Sequence, residues 1–152
     1  MQNERVRDWM TSEVVTISPN QTLPDAHELM KNHKIRRLPV VDAGQLIGIL
    51  TLGDLREASP SDATSLSIFE INYLLGRLPV SKIMTRDPLT VSPATGLTEA
   101  AKLMLHHKIG GLPVMESDEL VGIITESDMF RAYVHLAEVE ARREAAETYL
   151  QG

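Results

Sequence analysis

The 152-residue chain contains no cysteine, which excludes disulfides, thiolate metal sites and cysteine nucleophiles together and fits a reducing interior. No apolar run approaches the ~20 residues needed to span a bilayer, and the opening MQNERVRDWM lacks the apolar core of a secretory signal. The expected location is the cytoplasm, with no membrane partner. Cationic charge is also scarce. Fifteen Lys+Arg face 21 Asp+Glu, giving a formal charge of −6 and a pI near 5.3, so no basic field is available for nucleic acid. Neither G-x-x-x-x-G-K-[ST] nor G-x-G-x-x-G occurs, and ATP hydrolysis and Rossmann-type cofactor binding therefore lack their phosphate-cradling loops. What remains, 43% hydrophobic and 24% charged, suits a soluble globular chain large enough to bury a core.

The strongest positive feature is an internal repeat. A shift that lays Val6–Ala58 over Val80–Ala132 needs no gap and gives about 22 identities in roughly 53 aligned positions. The best-matched stretch sets HKIRRLPVVDAGQLIGILTLGDL against HKIGGLPVMESDELVGIITESDM. Each copy reads as a short apolar strand (Val14–Ile17, Leu89–Val91) stopped at Ser-Pro, where the proline ring fixes φ and removes a donor. A helix follows, with Leu23, Ala26, Leu29 and Met30, or Leu97, Ala100, Leu103 and Met104, at helical spacing. Two β-branched runs then flank turn residues, Leu38–Val41 and Leu46–Leu50 around Asp42-Ala43-Gly44, which is hairpin chemistry; Leu112–Met115 and Leu120–Ile124 repeat it. A second helix begins after Thr51 and after Thr125. Each copy is therefore a β-α-β-β-α unit of an α+β fold, too small to be secure alone, and two such units are expected to pack face to face on a shared core.

The organisation expected is residues 6–58 as the first repeat, 59–79 as a linker, 80–132 as the second repeat and 133–152 as a C-terminal helix. The linker opens on Ser59-Pro60-Ser61-Asp62. It continues as an apolar helix with Leu66, Ile68, Phe69, Ile71, Tyr73, Leu74 and Leu75, ending at Gly76. So greasy a segment is expected against the module or a second chain.

The end of each copy spells Gly, two apolar residues, Thr, two variable residues and Asp: Gly48–Asp54 and Gly122–Asp128. Two readings are open. Thr at an N-cap with Asp three residues on is close to a capping box and needs no ligand. The same geometry offers free N–H groups, a hydroxyl and an acceptor-only carboxylate, which suit a phosphate and a ribose diol, with Gly48 and Gly122 permitting close approach of backbone. Arg36-Arg37 can be surface charge or a fork for phosphate oxygens, and Gly110-Gly111 stands at the equivalent place in copy two. Any pair of sites should therefore be unequal. His27, His33, His106, His107 and His135 fall at no metal-ligand spacing, and Ser12, Ser18 and Ser92 sit near no placeable base, so neither a metal site nor an enzyme is expected.

Met-Thr, Thr-x-Ser-Pro, Leu-Pro-Val and Gly-x-x-Thr-x-x-Asp, in order and twice, resemble the tandem CBS (cystathionine β-synthase) domain, also called a Bateman module. The linker is similar to that of stand-alone pairs of the acetoin-utilisation type. The resemblance implies two repeats packed about a pseudo-twofold axis, with adenosyl ligands such as AMP, ADP, ATP or S-adenosylmethionine in the clefts between them. Carried over by motif, Asp54 and Asp128 would hold ribose hydroxyls, and Thr51 and Thr125 would contact phosphate or sugar. Ile17, Ile49, Val91 and Ile123 would support adenine. The first cleft would combine Arg36, Arg37, Thr51 and Asp54 with Val91 and the Gly110-Gly111 backbone, and the second would pair Thr125 and Asp128 with Ile17 and the backbone at Arg36-Arg37. Glycine at 110 and 111 puts phosphate binding in the second cleft in question. The function expected is a non-catalytic ligand sensor, a homodimer acting on a regulated protein partner. The alternative is a ligand-free structural or dimerisation module.

Overall fold

The computed structural model describes residues 3–59, 67, 70, 73 and 76–151. They form two compact α+β units, one of Glu13–Leu89 with Ser117–Leu120 and one of Met1–Ser12, Thr90–Glu116 and Val121–Gly152. We call these the first and second unit. Of the linker helix expected at residues 66–76, Leu66, Ile68, Phe69, Ile71, Leu74 and Leu75 lie outside the described residues.

In the first unit, helix α2 (Leu23–His33) starts where Thr22 donates its N–H to the Asp25 carboxylate at 3.0 Å, with Pro24 in the first turn, where its missing N–H costs nothing. It turns Leu23, Ala26 and Met30 inward and ends at Lys34, whose φ of 55° is left-handed. Strands β1 (Arg37–Asp42) and β2 (Gln45–Thr51) pair antiparallel, Leu38 opposite Leu50, through a two-residue turn, Ala43-Gly44, in which both φ are positive. That is the primed turn whose twist matches the strands. Helix α3 (Leu52–Ala58) follows at once. The second sequence copy repeats this order as α4 (Leu97–His107), β4 (Gly111–Glu116), β5 (Glu119–Thr125) and α5 (Glu126–Gln151), with Ser117 and Asp118 at positive φ in the turn.

The strands expected at Val14–Ile17 and Leu89–Val91 are each reduced to a single parallel bridge, Ile17 to Val40 and Val91 to Val114. Ile17 donates to the Pro39 carbonyl at 3.0 Å and accepts from Val41 at 2.9 Å. One more step toward the N-terminus would require residue 39 to donate to the carbonyl of Val15, and proline has no N–H. Pro113 stops the Val91 segment in the same way.

The buried residues fall into two clusters, one in each unit. Ile17, Leu23, Ala26, Met30, Leu38, Val40, Leu50, Leu55, Val80 and Met84 form the core of the first unit. Val6, Val91, Leu97, Ala100, Met104, Leu112, Val114, Ile124 and Ala132 form that of the second. Both clusters contain a segment from the opposite sequence copy. Val6, at the head of copy one, is fully buried in the second unit, where short helix α1 (Val6–Trp9) is held by Val6 N–H on Thr95 O at 2.9 Å. Val80, at the head of copy two, is fully buried in the first unit, where the 3-10 turn Val80–Lys82 is held by Val80 N–H on Gln21 O at 2.7 Å. Each burial contributes about 1.5–3 kcal/mol. The leading segments are thus exchanged between the copies.

Beyond the exchanged valines, the same segments extend the sheets. Strand β3 (Thr85–Arg86) pairs with β2, Thr85 opposite Ile49, while Thr11 forms the matching bridge to Ile123 with hydrogen bonds of 2.9 and 3.0 Å.

Candidate functional site

Gly48 and Gly122 answer to these segments. A Cβ on Gly48 would lie 2.6 Å from Met84 Sδ and 2.9 Å from the Thr85 carbonyl oxygen, and one on Gly122 would lie 2.8 Å from Met10 Sδ and 3.0 Å from the Thr11 carbonyl oxygen. The close approach that these glycines permit is taken up by the chain's own Met-Thr dipeptides.

The Thr-x-x-Asp motifs sit at the strand-to-helix junctions β2–α3 and β5–α5. At the first, Thr51 donates its N–H to Asp54 Oδ2 at 2.8 Å and its Oγ1 accepts from the Asp54 N–H at 3.1 Å, a closed capping box. Both side chains are half-buried, and Asp54 Oδ1 accepts no hydrogen bond from a described residue. At the second, Thr125 N–H donates to Asp128 Oδ2 at 2.8 Å, and the Thr125 hydroxyl turns to the same oxygen at 3.2 Å. Asp128 is 3% exposed, and its Oδ1 accepts from Arg131 Nη2 in an ion pair one turn along α5. Copy one has Glu57 at the place of Arg131. Sequence reading passed over Arg131, although the Glu-for-Arg mismatch in the repeat alignment was a visible signal.

The remaining candidates divide between the units. Arg36 is exposed and its carbonyl accepts the Leu52 N–H at 2.8 Å, which links the strand entry to the start of α3. Arg37 is half-buried at the start of β1 opposite Thr51. Gly110 and Gly111 are buried, with the Gly110 carbonyl accepting Glu126 N–H at 3.0 Å as Arg36 does Leu52. Ile17 and Val91 point into the two cores, Ile123 is buried and Ile49 half-buried. The first unit thus brings together Arg36, Arg37, Ile49, Thr51 and Asp54. The second brings together Gly110, Gly111, Ile123, Thr125 and Asp128.

Two grooves lie elsewhere. One of about 540 Å³ runs between α2 and α3, lined by Leu23, His27, Lys31 and Leu55 among others, and one of about 310 Å³ lies over Thr90, Val91, Ser92 and Glu99. Among the described residues no group of His, Asp and Glu could hold a metal ion, and no helix is long and apolar enough to cross a membrane.

Comparison with known proteins places these features. The family model described as the CBS domain matches residues 6–61 and again 80–135. The CBS domain-containing protein YhcV of Bacillus subtilis is 36% identical over 124 residues, 82% of this chain and 81% of the relative. A crystal structure of a protein assigned to acetoin utilization (AcuB) from Vibrio cholerae is 38% identical, with a TM-score of 0.76 over 91% of this chain and 96% of that one. The structure of CBSX2 in complex with AMP is 32% identical, with a TM-score of 0.71 over 88% of this chain and 98% of that one. Twice matched along its length and carrying both Gly-x-x-Thr-x-x-Asp junctions in register, the chain belongs to the CBS domain family and holds a tandem pair.

Proposed function

We propose that this CBS pair is a non-catalytic regulatory module that binds an adenosyl ligand of the AMP class and passes its occupancy to a protein partner. The observation that carries the reading is the pair of junction motifs in a chain that aligns over most of its length with an AMP-bound structure. Asp54 and Asp128 would take the ribose hydroxyls. Thr51, Thr125, Arg36 and Arg37 would meet phosphate or sugar, and Ile49, Ile123 and the Gly110-Gly111 backbone would line the base. Capping does not stand in the way at the first junction. Oδ2 of Asp54 is fixed by the Thr51 N–H, which orients the carboxylate and leaves Oδ1 to accept from a diol. Signalling further requires that ligand favour one arrangement of the module over another, because equal affinity for both shifts nothing.

The ligand-free scaffold is the second reading, and the reciprocal Thr51–Asp54 bonds favour it, since they engage both residues inside one helix start. Titration calorimetry with AMP, ADP, ATP and S-adenosylmethionine separates the two. The sensor reading expects at least one of these to bind below about millimolar, a gain of more than about 4 kcal/mol, and to weaken in Asp54→Ala protein that remains folded. Silence from all four compounds overturns it in favour of the scaffold.

A further inference from the structure

Helix α5 spans 26 residues, about 39 Å at 1.5 Å per residue. Its first turns are anchored in the second unit by buried Asp128 and Ala132, half-buried Leu136, and His135, whose ring lies 5.6 Å from that of Trp9. From Ala137 to Gln151 every residue is exposed. A helix stretch of this length is marginal in water without packing. Local support is limited, for although Glu138 with Arg142 and Arg143 with Glu147 stand at the favourable i,i+4 spacing, Glu140 and Glu144 repel at the same spacing, and the last turn has no basic residue to oppose the helix dipole.

From half-buried Leu136 the uncovered stretch carries a heptad stripe. Leu136, Val139, Arg143, Ala146 and Leu150 alternate at spacings of three and four, the a and d positions of a coiled coil, with Val139 37% and Leu150 83% exposed. We propose that two copies of this chain pair through α5 as a parallel two-stranded coiled coil along that stripe. Charge selects the partner and its direction. Arg142 occupies a g position and Glu147 the e position five residues on, so in parallel register Arg142 meets Glu147 of the partner subunit, twice by symmetry. Antiparallel pairing would instead set the e-position acids Glu140 and Glu147 against each other. Arg143 is the one charged residue in the stripe, and a single such residue at an a position costs stability while fixing register and strand number. The competing stripe, Phe130, Val134, Ala137, Ala141, Glu144 and Thr148, puts an acid in the seam, and its e and g positions within the uncovered stretch, Glu138, Glu140, Ala145 and Glu147, carry no cation.

Because the chain has no cysteine, one substitution reports one contact. In the full chain, Ala146→Cys lies in the seam and Ala141→Cys on the outer face. Under mild oxidation Ala146→Cys is expected to form a disulfide dimer at least about tenfold faster, because only seam residues bring Cα atoms within the ~6 Å a disulfide tolerates. Adding Arg142→Glu is expected to suppress that crosslink, and adding Glu147→Arg as well to restore it. Equal or faster crosslinking at position 141, no crosslink at position 146, indifference to Arg142→Glu, or failure of the double charge reversal to rescue overturns the proposal.

Discussion

The two junctions are the same seven-residue motif folded to different ends. In the first unit the threonine and aspartate answer only each other, half-exposed, with one carboxylate oxygen open. In the second the aspartate is buried and both its oxygens are committed, one to Thr125 and one to Arg131. A single exchange on the following helix turn, Glu57 against Arg131, accompanies the difference. The inequality of the two junctions therefore starts inside each unit, in addition to the contrast of Arg36-Arg37 with Gly110-Gly111 that the sequence displays.

Removing the aspartates should separate the junctions most. Asp128→Ala leaves the half-buried Thr125 N–H without its acceptor, empties the buried place of the carboxylate and frees Arg131, and is expected to cost about 2–3 kcal/mol in urea unfolding. Asp54→Ala removes a half-exposed cap and is expected to cost about 1 kcal/mol. Equal losses would mean that burial does not distinguish the two. The glycines provide the next contrast. Gly48→Ala drives a methyl against the Thr85 carbonyl, a backbone atom that cannot swing aside, and is expected to cost about 1–3 kcal/mol, with Gly122→Ala, where the contacts are a little longer, toward the lower end. A smaller effect should follow from exchanging the charges. Arg131→Glu sets like charge beside Asp128 and is expected to lower stability by about 1 kcal/mol, while Glu57→Arg, which gives Asp54 the neighbour Asp128 has, should raise it by at most about 0.5 kcal/mol because that pair is more exposed. If the second substitution also closed Asp54 Oδ1, the Asp54-dependent part of any ligand affinity would fall with it.

Much of the fold was legible because it was written twice. The register of the repeat placed the four long helices and both hairpins, and the capping pattern at Thr51 and Thr125 marked where strands become helices. The exchange of Val6 and Val80 was not legible, for a physical reason. Met10-Thr11 and Met84-Thr85 are the same dipeptide, and Gly48 and Gly122 stand in the same motif, so no local pattern records which copy a leading segment packs upon. The shortened first strands were legible in principle, since Pro39 and Pro113 state where a donor is missing, but only once the partner carbonyl was known. For the candidate site, the sequence located the junction residues. The family resemblance, carried over by motif, set Ile17 and Val91 at the base, and motif order does not record that these side chains turn inward to fill the two cores.

The exchange has a consequence for what counts as a half. A gene fragment encoding either sequence copy would supply one peg without its socket and one socket without its peg, because Val6 fits among residues of copy two and Val80 among those of copy one. Neither copy is a separable cassette. Recombination that preserves both plugs has to move the two together, or else cut at the seams of the folded units rather than those of the duplicated text.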